Sequence, residues 1–296
     1  MSEYDLLAFG NMSLDVIKTP DTEYSMIGGA ILHAVWTAHQ LGRKVAVVTK
    51  TSKKDKNYIK EFPSDNVDIF WVESKETTSI KNYYPTADKE TRICTSVSQA
   101  DGFKIMDFPP LSTKLVQYSG LITGEIDFEL MKSLSNKAFL AVDVQGLIRS
   151  VEDNGSMGFK KWNQMNEALP YTTYLKADAA EAEFLLGIKT DTFAGRREAA
   201  YKFVELGASE VIISHNEGLI ACSEDECIKS PFKNKNLKGR TGRGDTSFTT
   251  YITERLEKDM VSSIQYAAAL ASIKMENPGP FKKTRKDVEE LIEESY

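Results

Sequence analysis

The stretch Gly239-Arg240-Thr241-Gly242-Arg243-Gly244-Asp245-Thr246 sets three glycines within six residues directly before a helical pattern that runs from Thr246 to Leu256. The first turn of a helix leaves backbone N–H groups without intrahelical acceptors and carries the positive end of the helix dipole. Glycines, having no side chain, let an anion come close to those amides. The stretch therefore reads as an anion hole over Gly242, Arg243 and Gly244. Asp245 falls in the first helical turn, placed to accept a proton from a hydroxyl while the amides neutralise a phosphoryl group in transfer. A glycine-rich turn whose aspartate caps a helix satisfies the same local pattern. Two other phosphate-binding patterns are excluded: G-x-x-x-x-G-K-[ST] is absent, and G-x-G-x-x-G breaks at Ser247.

Upstream, the chain alternates short apolar runs with helical ones. Tyr4 to Phe9 predicts a buried strand that stops at Gly10-Asn11, and Gly28-Gly29 opens a helix from Ala30 to Gln40 with Leu41-Gly42 at its end. Lys44 to Thr49 predicts the next strand. Further strands are expected at Val116 to Ile122, Ala138 to Val142, Tyr171 to Lys176 and Glu210 to Ser214, with helices near Asp127 to Ser135, Ala180 to Leu186 and Ala194 to Leu206. Gly218 to Cys222 and Cys227 to Ser230 read as a hairpin, and Ser262 to Glu276 as a late helix. This rhythm belongs to an α/β fold with a parallel sheet. Asp15 to Met26 and Thr77 to Ser98 alternate polar and apolar residues instead, as half-exposed strands of a separate small sheet do.

Of 296 residues 41% are hydrophobic, enough for a large core, so the chain reads as one domain over 1–296. Thirty-seven basic against 43 acidic residues give a net charge of −6, with both signs interspersed, which argues against nucleic acid or an anionic membrane as partner. Cys94, Cys222 and Cys227 form no even framework and read as reduced thiols. No run reaches membrane-spanning length, and the apolar stretch near the N-terminus is too short for a signal peptide, so a cytoplasmic protein acting on small molecules is expected.

The glycine stretch resembles the D-T-T-G-A-G-D-T-F type segment of the PfkB, or ribokinase-like, carbohydrate kinases. The order of five landmarks extends that resemblance over the chain: Gly10 to Asp15, Gly28-Gly29, Asp178 to Glu181, Gly239 to Asp245, and Asn277-Pro278-Gly279. The resemblance implies a three-layer α/β/α sandwich with a mostly parallel central sheet, and a small β-strand lid from about 15–27 and 77–98. It implies ATP and Mg²⁺ as cofactors and an alcohol as acceptor. Asp245 matches the catalytic base and Gly242, Arg243 and Gly244 the anion hole. Asp15, Gly28 and Gly29 match the substrate-binding positions, with Asn82 and Arg92 as lid contacts. Ser214, Gly218 and Asn277 fall on the nucleotide side, as do Asp178 and Glu181 of an N-x-x-E-like segment whose glutamate organises Mg²⁺ through water.

Departures from the pattern bear on specificity. Gly239 stands where the family usually has an aspartate beside a monovalent-cation site, and Arg243 replaces a small residue. Arg240 or Arg243 is expected to meet phosphate or an anionic substrate group, or else to be a solvated loop arginine. His33 and Ser13 replace family asparagines, which points from ribose toward a cyclic polyol, ketose or keto-sugar acid. A nucleoside kinase would stack its base on Tyr83 or Tyr84, and a catalytically silent nucleotide- or sugar-binding regulator would share the fold. Asp143, Gln145 and Arg149 follow a buried strand at its carboxyl end, where ligands collect. The run Ile69-Phe70-Trp71-Val72 would either support a homodimer through the lid or form a buried strand.

Overall fold

The computed structural model describes residues 3–85 and 93–296. In chain order its strands are β1 (Glu3–Phe9), β2 (Ser13–Lys18), β3 (Glu23–Gly28), β4 (Val45–Ser52), β5 (Val67–Ser74), β6 (Ser79–Tyr83), β7 (Ile93–Ser98), β8 (Ser112–Tyr118), β9 (Phe139–Asp143), β10 (Arg149–Val151), β11 (Met157–Phe159), β12 (Tyr174–Asp178), β13 (Glu210–His215), β14 (Gly218–Cys222) and β15 (Cys227–Pro231). The α-helices are α1 (Ala30–Gln40), α2 (Phe128–Ser135), α3 (Gln145–Ile148), α4 (Met165–Ala168), α5 (Ala179–Leu186), α6 (Phe193–Glu205), α7 (Arg243–Glu254), α8 (Met260–Met275) and α9 (Arg285–Ser295).

Nine strands form one sheet in the order β15-β14-β13-β12-β9-β8-β1-β4-β5. It is parallel except where β14 and β15 fold back as a hairpin. Strand side chains alternate between faces, and the apolar runs divide accordingly. Leu6, Ala8, Val45 and Val47 pack with Ile31 and Val35 of α1, Phe248 and Tyr251 of α7 and Ile264 of α8. Leu7, Phe9, Ala46 and Val48 lie in the other core with Leu130 and Leu134 of α2 and Ala199 and Phe203 of α6. Burying a side chain such as Phe248 contributes about 2 kcal/mol, so these two layers of apolar contact are what hold the sandwich. β1 lies between β8 and β4, so successive crossovers leave it in opposite directions and open a crevice at the carboxyl ends.

Four strands form a second sheet, β3-β2-β6-β7. β2 joins its two hairpins by pairing in parallel with β6, so residues far apart in sequence share one face. In that register Ser13, Asp15, Ile17, Ile80 and Asn82 fall on the same side, and Ile80 packs with Ala30, Leu121 and Ile122 of the main body.

Several expectations are revised. The strand expected to reach Ile122 ends at Tyr118, because Ser119-Gly120 turn out of the sheet. Ile69 to Val72 lie in β5, the edge strand of the main sheet, and not in the small sheet. The β10–β11 hairpin and α9 carried no periodicity strong enough to read. Cys222 and Cys227, expected as reduced thiols, are joined as a disulfide, because the hairpin register sets them directly opposite each other with Cα atoms 4.0 Å apart. Arg92 lies outside the described residues. No described helix is long and apolar enough to cross a membrane.

Candidate active site

The glycine stretch does open a helix. Gly242 is the N-cap of α7 in the left-handed region (φ 81°), so the cap offers no side-chain oxygen to the first amides. A Cβ at Gly242 would lie 2.3 Å from the ring of His33, which packs against the turn from α1. A Cβ at Gly244 would meet Cε and Nζ of Lys176 at 3.3 Å. The turn is thus pressed between an imidazole and an ammonium. Burial drives the His33 pKa down to about 3, with the Lys274 charge adding to the effect, so the ring is neutral.

Asp245 sits in the first turn of α7 and is half-buried. Burial raises its carboxyl above the usual range, and the positive charges of Lys176, Lys274 and Arg149 oppose that. Lys176 is the centre of this electrostatic arrangement. Its ammonium donates to both oxygens of Asp143, at 3.1 and 2.9 Å, and stands 3.7 Å from Glu181. Burial alone would lower Lys176; Asp143, Glu181, Asp178 and Asp245 outweigh it and hold the ammonium firmly charged. Burial pushes Glu181 up to about 7 despite the nearby lysine. Asp178 and Glu181 form a capping box at the start of α5, each side chain accepting the other's N–H. Their helix-start geometry and their closeness to Lys176 are two aspects of one arrangement. Sequence reasoning passed over Lys176 as a functional residue, although a lysine inside the buried strand Tyr174–Asp178 is itself a signal.

On the other side of α1, a Cβ at Gly28 would lie 2.9 Å from Asp15 Oδ2 and 3.1 Å from Ser13 Oγ. Gly29 (φ 109°) presses against the backbone of Asn11, Met12 and Ser13, where any side chain would collide. The structure therefore brings Asp15, Ser13, Gly28 and Gly29 together at the N-terminus of α1. From Gly29 to His33 is about one helical turn, ~5.4 Å. One turn of α1 therefore joins the Asp15 cluster to the Gly242–Asp245 turn. Asn82 is buried on the same face as Asp15, and its Oδ1 accepts from Cys94 Sγ at 3.4 Å.

The turn between Ser214 and Gly218 meets the Gly239–Asp245 segment. Asn216 Oδ1 accepts from Arg240 at 3.0 Å and from Arg243 at 3.2 Å. The Arg243 guanidinium also lies 5.4 Å over the Phe232 ring. Beside this turn is a cavity of ≈ 250 Å³ walled by Phe193, Ile213, Leu219 and Pro231, with Arg196 and Glu217 at its polar side. Asn277 is exposed and takes part through its backbone: a Cβ at Gly239 would lie 1.8 Å from its carbonyl oxygen, so position 239 has no room for an aspartate here. A roomier depression of ≈ 510 Å³, lined by Thr113, Lys137 and Thr173 among others, lies at the amino ends of the parallel strands, away from this chemistry.

The Arg243 N–H, expected as part of the anion hole, donates to the Arg240 carbonyl at 3.2 Å, because the chain turns back on itself before the cap. A helix start capped by a glycine without a side-chain acceptor, a carboxylate in the first turn of the same helix and a small sheet packed on the body are features of the ribokinase-like class of small-molecule kinases. Likeness to known proteins agrees. The chain belongs to the pfkB family of carbohydrate kinases, whose model matches residues 6–286. It is similar to a structure described as the sulfate complex of a pyrophosphate-dependent kinase in the ribokinase family, at 30% identity and TM-score 0.87 over 96% of this chain and 99% of that one. A pyrophosphate-dependent kinase of the ribokinase family complexed with a pyrophosphate analogue and myo-inositol is 29% identical, at TM-score 0.86 over 96% and 99%. Ribokinase of Arabidopsis thaliana, complexed with ribose and ATP, shares the fold at 17% identity and TM-score 0.76 over 98% and 99%. No curated protein matches the chain.

Proposed function

We propose that this kinase transfers a phosphoryl group from a condensed phosphate to one hydroxyl of a cyclic polyol, with Asp245 as base. The observation that carries the reading is the continuity of the site: the anion-hole turn and Lys176 at one end, and Asp15 with Gly28 at the other, joined by one turn of α1. The acceptor O–H gives its proton to the Asp245 carboxylate as its oxygen forms a new bond to phosphorus. The bond from phosphorus to the bridging oxygen breaks, and orthophosphate or a nucleoside diphosphate leaves. The amides of Gly242 and Gly244 and the Lys176 ammonium neutralise the charge on the moving group.

The acceptor class follows from kinship with the kinase complexed with myo-inositol. For the donor, two guanidinium groups gathered on Asn216 favour pyrophosphate, which offers only charge and phosphate oxygens to its site. ATP is the second reading, favoured by the ≈ 250 Å³ cavity with apolar walls beside the Ser214–Gly218 turn, which suits a nucleobase.

Mg²⁺ fits either donor as an ion held through water. Among the described residues no three acidic, histidine or cysteine side chains stand at ligand spacing, and Asp143 and Glu181 already serve Lys176 and the Asp178 N–H. Bound there near Glu181, the ion would neutralise donor oxygens. The four-stranded sheet acts as the lid, with Asp15 and Asn82 on its inner face. Pairing of lids in a homodimer is part of the proposal, since Ile93 and Val97 are exposed on β7; light scattering tests it.

The deciding experiment follows orthophosphate and ADP release with pyrophosphate or ATP against inositols, sugars, sugar acids and nucleosides. Acceptor-dependent consumption of pyrophosphate with an inositol is the expected result. ATP consumption alone would shift the donor assignment, and no acceptor-dependent turnover of either would remove the reading.

A further inference from the structure

Lys274 lies in the last turn of α8 and is 2% exposed. Lysines so deeply buried are ordinarily paired with a carboxylate. Among the described residues none lies within ion-pair distance of its Nζ; the ammonium donates instead to the backbone carbonyls of Gly239 and Thr241. These carbonyls belong to the segment that leads directly into the Gly242 cap. The segment is also tied to α8 by the Gly239 N–H, which donates to the Met275 carbonyl at 2.7 Å. With a Cβ at Gly239 excluded by Asn277, the backbone runs flush against the end of the helix. Two carbonyl dipoles converge on one buried positive centre, and among the described residues no side-chain anion touches it.

Converging carbonyl oxygens around an isolated monovalent charge are the chemistry of a bound alkali or ammonium ion. We propose that the Lys274 ammonium is a resident monovalent cation, which orients the carbonyls of Gly239 and Thr241 so that the Gly242 and Gly244 amides stay turned toward the donor. Phosphoryl transfer is accordingly independent of added potassium. The inference rests on the kinase reading and makes Lys274 a positioning residue, one that acts through the backbone of the turn. Its charge also reaches Asp245, where it opposes the effect of burial on the carboxyl. Burial lowers the lysine itself to about 8, with Asp245 counteracting, as expected of a cation whose partners are dipoles.

The test is chemical rescue. Wild-type turnover, with Mg²⁺ held constant, should be the same in buffers whose only monovalent cation is potassium, sodium or tetramethylammonium. Lys274→Ala leaves a space the size of a small cation. Its kcat should fall on the order of 100-fold in tetramethylammonium, as when a single oxyanion donor is lost, and return largely with ammonium, methylammonium or potassium. Lys274→Gln keeps a donor and fills the space without the charge, and should show the loss without rescue. Pyrophosphate affinity measured by calorimetry on the same proteins should follow the same order. A wild-type enzyme that requires potassium, a Gln variant with normal turnover, or an Ala loss that no small cation restores would each overturn the proposal. Absence of turnover in the wild type would remove the kinase reading instead, and the calorimetric arm would still decide the role of Lys274.

Discussion

Burial raises the Asp245 carboxyl and makes it a stronger base than a solvated aspartate, and the charges of Lys176, Lys274 and Arg149 oppose that rise. Replacing it with asparagine preserves shape and removes proton acceptance. Asp245→Asn should lower kcat by about 10²- to 10⁴-fold while calorimetry finds pyrophosphate binding within a few-fold of wild type. Lys176 stands differently, because it lies where a side chain at position 244 would project and it pairs with Asp143. Lys176→Met should weaken donor binding as well as turnover, a split that separates it from Asp245 in steady-state kinetics. His33 gives a signature in stability. Its folded pKa of about 3 lies below the ordinary value near 6.5, so the unfolded chain takes up a proton first as pH falls. Its contribution is fully present above 6.5 and is lost on the way down to 3, at most about 5 kcal/mol. Glu125, raised by burial to about 7, has the opposite slope, so the comparison is with His33→Gln. Urea melts should show the stability difference between the two proteins shrinking or reversing as pH falls from 7 to 4.

Helices deliver the functional groups, and one ionic knot fixes how three of them meet. Glu254, at the end of α7, is fully buried. It stands 3.6 Å from Arg43, 2.8 Å from Lys258 and 2.9 Å from Arg285. Arg43 follows α1 and Arg285 begins α9, so the knot ties the far ends of the elements whose near ends carry Gly29 and Gly242. Burial would raise the Glu254 carboxyl, but Arg285 and Lys258 more than offset it and hold it below the ordinary range. Glu254→Ala leaves three cations gathered without their anion. It should destabilise the protein by about 3 kcal/mol, seen as a lower urea midpoint, with donor affinity of the folded enzyme little altered.

Across the molecule, the proposed function assigns acceptor and donor to different bodies. The main sheet and its helices carry the Gly242–Asp245 turn, whereas Asp15 and Asn82 belong to the small sheet that rests on the body through Ile80. Truncating Ile80 removes part of that seat without touching the donor side. Ile80→Ala should raise the acceptor KM by about tenfold, equivalent to about 1.4 kcal/mol, and leave the donor KM nearly unchanged. It should also raise donor hydrolysis relative to transfer, since a loosely seated lid admits water to the phosphoryl group.

Alternation of apolar residues, glycines before a helix and the break at Gly28-Gly29 are local patterns, and they suffice to read the layered α/β body, α1, and the Gly242–Asp245 turn with its carboxylate. The same local reading missed what depends on approach between distant segments. Lys176 meets Asp143 across a separation of 33 residues, and Lys274 meets Gly239 across 35. In sequence each is one lysine among many; burial beside particular oxygens sets it apart, and crossover topology determines that burial. The thiols at 222 and 227 were misread for the same reason, because strand register decides whether two cysteines face each other. Backbone periodicity is written residue by residue, but desolvation and charge pairing arise when the layers close, and the electrostatics of this site come from that closure.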